Sequence, residues 1–80
     1  MPDETRDARH HGAGDRWLAG EPLPGVRFAA HDAVEVLIGR REGERGIILL
    51  LVALEPEPAY LVEIAGARLR LLQSALQPAE

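Results

Sequence analysis

Eight consecutive aliphatic residues, Ile47-Ile48-Leu49-Leu50-Leu51-Val52-Ala53-Leu54, form the longest apolar run in the chain. A membrane-spanning helix needs about 20 such residues, so the run is far too short to cross a bilayer. Glycine-marked sequence precedes it and Glu55-Pro56-Glu57-Pro58 follows it, which predicts a strand bounded by loops. Side chains alternate between the two faces of a strand. The expected assignment puts Ile48, Leu50, Val52 and Leu54 in the interior and Ile47, Leu49, Leu51 and Ala53 outside. A register shifted by one residue exchanges the two sets. In either register, three or more aliphatic side chains lie on the side away from the core.

The interior available to such a strand is small. The chain has 80 residues, enough for one domain with a marginal core. It has no cysteine, so neither a disulfide nor a thiolate metal site can staple it. Met1 to Asp7 is polar and no apolar stretch follows it, which predicts no export signal. Together with the lack of cysteine, this favours a cytoplasmic location. Nine basic residues, all arginine, stand against 13 acidic ones, for a formal charge of −4. Affinity for nucleic acid comes chiefly from neutralising phosphates, so an acidic chain is a poor general binder of RNA.

Residues 1–24 read as a disordered or loosely docked arm, charged at first and ending in Pro22 and Pro24, just before Gly25. Its one sticky point is Trp17-Leu18; Asp15 can cap a single helical turn, and Gly20 and Pro22 forbid a longer helix. Residues 25–80 read as an all-β domain. Val26 to Phe28 is a lead-in or short strand. Ala33–Ile38 is a strand with Val34, Val36 and Ile38 on one face. Tyr60–Ala65 is another, with Tyr60, Val62 and Ile64 inward. Ala65-Gly66 is a tight turn. In Ala67–Leu72, Leu69 and Leu71 lie opposite Arg68 and Arg70. Ser74 to Gln77 suits a 3₁₀ turn with Ser74 as its cap and Pro78 as its terminator. Short, closely spaced strands without a long helix predict a small antiparallel barrel of about five strands.

Between the first two strong strands lies Gly39-Arg40-Arg41-Glu42-Gly43-Glu44-Arg45-Gly46. The glycines at 39, 43 and 46 allow a positive φ or a close backbone approach. With Val34 to Ile38 before it and Ile47-Ile48 after it, the segment resembles a KOW motif, the strand–loop–strand unit of SH3-like barrels in ribosomal proteins and elongation factors. The stretch from Ala59-Tyr60-Leu61-Val62-Glu63-Ile64 to Leu76-Gln77-Pro78 is similar to the remainder of such a barrel. It is also similar to small bacterial SH3-like proteins and to the barrel of nitrile hydratase β-subunits. The resemblance implies an SH3-like fold and admits an RNA- or ribosome-associated role through Arg40, Arg41 and Arg45, with Arg27, Arg68 and Arg70 as further phosphate contacts. RNA-binding loops of this type are usually lysine-rich, whereas Glu42 and Glu44 reduce this loop to a net +1.

With the expected faces, Leu37, Ile47, Leu49, Leu51 and Leu61 form an outward apolar patch. Contiguous apolar patches on soluble proteins mark interfaces. Two covers are open: the chain's own arm, through Trp17, Leu18 and Leu23, or a second chain, either another protein or a copy of this one. The remaining chemistry is sparse. Ser74 and Thr5 are the only hydroxyl nucleophiles of their kind, His31-Asp32 reads as a solvated turn, and His10-His11 lacks further metal ligands at a recognisable spacing. No glycine-rich phosphate fingerprint is present. Too few aromatics cluster for a polyproline groove. The expectation is therefore a non-catalytic protein-interaction module without cofactor or metal: an accessory subunit, a small regulator or an immunity-type protein.

Overall fold

The computed structural model describes residues 14–79. Five strands, β1 (Ala33–Val36), β2 (Arg45–Ala53), β3 (Ala59–Ile64), β4 (Ala67–Leu72) and β5 (Leu76–Pro78), form one antiparallel sheet in the order β4-β3-β2-β1-β5. A 3₁₀ turn, Gln73–Ala75, separates β4 from β5. The five antiparallel strands and the late 3₁₀ turn match the architecture expected from the sequence.

Several boundaries differ for identifiable reasons. β1 stops at Val36 rather than Ile38, and Ile38 is 63% exposed instead of facing inward. The chain leaves the ladder there because Val36 exchanges backbone bonds with the returning loop: Val36 N–H donates to Glu44 O at 2.9 Å and Gly43 N–H donates to Val36 O at 2.8 Å. Leu76–Pro78, expected as the end of a turn, is an edge strand paired to β1, a position that tolerates Pro78. Ser74 does not cap the 3₁₀ turn. It lies inside it, and Glu57 from the β2–β3 loop accepts both the Ser74 N–H at 2.8 Å and the Ser74 hydroxyl at 3.0 Å.

The main correction concerns β2. Its pairing with β3 runs Ile48↔Val62, then Leu50↔Leu61, then Leu51↔Tyr60, then Ala53↔Ala59. Two residues on β2 therefore face one step on β3 twice, which defines bulges at Leu49 and Val52. A bulge shifts the alternation by one residue. Ile48 is fully buried, whereas Leu50, Val52 and Leu54, expected inside, are 43%, 44% and 41% exposed. Leu51, expected outside, is half-buried and packs against the core.

The core consists of Val34, Val36, Ile48, Tyr60, Val62, Ile64 and Leu76, joined by Trp17 and Phe28. Leu69 and Leu71 on β4 pack against the same cluster as Leu76 on β5, so the sheet curls around a single interior. Residues 14–18 are helical. The helix ends in a Schellman arrangement, with Glu21 N–H bonded to Arg16 O, Gly20 N–H to Trp17 O, and Gly20 at φ +90°. That short helix aims Trp17 into the core, where it is 3% exposed. The core thus includes a residue well ahead of Gly25.

A candidate interaction face on the outer side of the sheet

The registers fix which residues share the outer side. In the first row, Ala33, Ile47, Glu63 and Arg68 stand side by side; in the second, Leu50, Leu61 and Arg70; in the third, Ala53 and Leu72 flank Ala59, which is fully buried. Ile47, Leu50, Val52 and Leu72 are each at least 40% exposed. Leu49 and Leu61 are half-buried. Of the residues expected on this face, Ile47 and Leu61 belong to its rows and Leu49 occupies the first bulge. Leu51 has turned inward, and Leu37 is exposed beyond the end of β1. The face gains Leu50 and Val52, which no periodicity within an unbroken aliphatic run reveals. It also gains Leu72, which shares the parity of Arg68 and Arg70 and was legible on that ground.

Arg68, Arg70 and Glu63 border the aliphatic rows on the β4 side. At the other end, Leu54 leads into a cleft of ≈ 370 Å³ lined by Leu23, Pro24, Gly25, Glu55 and Pro58. Within the described residues, the N-terminal segment does not cover the face. Trp17 and Leu23 pack on the core, on the opposite side of the sheet, and Leu18 is exposed to solvent.

That segment is fastened by a polar cluster. The indole N–H of Trp17 donates to Phe28 O at 2.7 Å. The Gln73 side chain donates to Gly25 O at 2.9 Å and accepts the Arg27 N–H at 2.8 Å. The Tyr60 hydroxyl donates to the same Gln73 oxygen. Burial raises the Tyr60 phenol above its ordinary value, an effect partly offset by the nearby backbone of Phe28 and Arg27. Phe28 meets Tyr60 edge-on at 5.5 Å, and the Arg27 guanidinium lies 5.4 Å from the Phe28 ring centre.

The β1–β2 loop holds the other expected contacts. Gly39 and Gly43 have φ of +91° and +87°. Gly46 differs: it lies within β2, and a Cβ there would stand 2.7 Å from Glu63 O and 2.6 Å from Ile64 Cγ1. Arg41 pairs with Glu44 at 3.2 Å, Arg40 is exposed, and Arg45 pairs across from Glu35 in the β1–β2 ladder. The Asp32 carboxylate accepts the Ala29 N–H at 2.9 Å and closes the turn containing His31. Among the described residues, no group of three or more His, Asp or Glu is placed to hold a metal ion, and His10-His11 lies outside them. Nor is any helix among them long and apolar enough to cross a membrane.

Fold and face together define a small, curled, five-stranded antiparallel domain with an aliphatic outer surface. No protein-family model, curated protein or solved structure matches the chain.

Proposed function

We propose that this chain is a non-catalytic protein-interaction module of the SH3-like type, binding another protein, or a copy of itself, through the outer face of β2 and β3. The observation that carries this reading is the exposure of Ile47, Leu50 and Leu72, which the registers place on one side of the sheet, together with Val52 in the second bulge, while the N-terminal segment is committed to the other side. Apolar area gains roughly 25 cal/mol per Å² when removed from water, so a contiguous face of this kind is a binding surface. The strand order and the 3₁₀ turn before the last strand support the SH3-like reading. An accessory-subunit, small-regulator or immunity-type role accords with this surface. The Arg41–Glu44 pair counts against phosphate binding by the arginine loop, because it spends one of the three cations on an internal partner.

The test is sedimentation velocity and co-purification of the untagged chain beside Leu50→Asp and the double variant Leu50→Asp/Leu72→Asp. The expected result is association or partner retention by the wild type and its loss in both variants, with unchanged far-UV circular dichroism. A wild-type chain that stays monomeric and retains nothing refutes the reading, as does a partner that both variants keep.

A further inference from the structure

The sheet has a second unpaired feature, independent of the aliphatic face. Among the described residues, β4 lies at one end of the strand order and pairs with β3 alone, in unbroken register from Ile64↔Ala67 to Ala59↔Leu72. Ala65 and Gly66, with φ of +51° and +84°, make a two-residue turn of the I′ kind. Such a turn makes Ile64 and Ala67 a hydrogen-bonded pair. The alternation of an antiparallel ladder then directs the N–H and C=O groups of Ala67, Leu69 and Leu71 toward β3. Those of Arg68 and Arg70, and the N–H of Leu72, point to the open edge, while the Leu72 carbonyl, as N-cap of the 3₁₀ turn, is turned into that turn. β4 contains neither bulge nor proline. The opposite edge, β5, is three residues long and ends in Pro78. Of the two edges, only β4 presents a regular row of donors and acceptors.

Its side chains specify what can be added. Arg68 and Arg70 are exposed on the outer side, while Leu69 and Leu71 are half-buried against the core on the inner side. Residues of an added strand lie directly beside these. Opposite charges across strands stabilise and like charges destabilise. In the two in-phase antiparallel registers that overlap β4 with a second β4 over five residues, arginine stands beside arginine (Arg68↔Arg70 or Arg70↔Arg70), so the edge disfavours a copy of itself. We propose that the β4 edge takes up an extended peptide segment of another protein, in which acidic residues alternate with aliphatic ones. The peptide adds as an antiparallel strand, its carboxylates beside Arg68 and Arg70 and its aliphatic side chains continuing the row of Leu69 and Leu71.

The probe is a capped peptide, Thr-Glu-Val-Glu-Val-Glu-Thr, titrated into the full chain and followed by amide chemical shifts. The expected shifts centre on Arg68, Arg70 and Leu72. N-methylating alternate amides of the peptide abolishes binding in one phase and spares it in the other. Replacing Glu by Lys in the peptide weakens binding about tenfold, and so does Arg68→Gln/Arg70→Gln in the protein. Arg68→Glu/Arg70→Glu reverses the preference between the two peptides. No shifts at millimolar peptide overturn the proposal, as do shifts confined to Ile47, Leu50 and Leu61, indifference to N-methylation in both phases, or equal binding of the Lys peptide. The aliphatic-face reading survives all of these, and its own failure leaves this edge unaffected.

Discussion

The phenolic hydroxyl of Tyr60 on β3 donates to Oε1 of Gln73, the first residue of the 3₁₀ turn, and that same oxygen accepts the backbone N–H of Arg27. One amide thus ties together the middle of the sheet, the turn that follows β4, and the segment that carries Trp17 into the core. Replacing Gln73 by Leu leaves three polar groups without this partner, and the expected cost is about 1–3 kcal/mol. Tyr60→Phe leaves the Arg27 and Gly25 bonds in place and costs about 1 kcal/mol. Chemical denaturation measures both. The single tryptophan reports whether its pocket has opened through a red shift of its emission in the Gln73 variant.

Alkaline pH acts through the same residue. Burial raises the Tyr60 phenol above 10.0 in the folded chain. A group whose folded pKa exceeds its unfolded value contributes stability that is complete below the unfolded value and is lost as pH rises through the folded one. Unfolding free energy is therefore expected to fall as pH climbs beyond about 10, and Tyr60→Phe should remove that part of the decline. The chain has one tyrosine, so the tyrosinate absorbance titration reads this group alone, and with no lysine the decline in stability is not shared with an ammonium group titrating in the same range.

The bulges in β2 make a paired prediction. Ile48→Ala empties a fully buried site and is expected to cost about 2–5 kcal/mol. Leu50→Ala, two positions along and assigned by simple alternation to the same face, is expected to change stability by no more than about 0.5 kcal/mol. Equal losses at the two positions would mean that β2 keeps one phase throughout.

Gly46 is closed to a side chain by backbone. An alanine Cβ would approach Glu63 O to 2.7 Å, and a carbonyl held in the sheet cannot step aside. Gly46→Ala is expected to destabilise by about 1–3 kcal/mol. Thermal melts should place it well below the wild type.

The Ala65-Gly66 turn offers a gain. Ala65 sits at φ +51°, where an L-residue with an ordinary side chain is strained and asparagine is tolerated. Ala65→Asn is expected to stabilise by about 0.5–1 kcal/mol, read as a higher denaturation midpoint. Ala65→Val should shift it the other way.

How much of this was legible depended on whether polar and apolar residues alternate. β4 can be read to the residue because arginine and leucine trade places along it. In β2 every position is aliphatic, so the run announces a strand but carries no mark of its faces. The two bulges that decide them arise from its pairing with β3. β5 was hidden by brevity and by Pro78, which only an edge admits. The stickiness of Trp17 was plain from its neighbours, but its destination was set by Phe28, Tyr60 and Gln73, all distant in sequence. Gln73 itself gives no local signal, since glutamine in a short polar turn looks like any solvated residue.

Because β2 carries two surplus residues against β3, it coils more tightly than its partner, and the sheet bows outward beneath Leu50 and Leu61. A flat wall laid on such a bow touches it along a ridge and leaves water on both flanks. Only a trough-shaped body, or a segment supple enough to become one, can dry the whole of it.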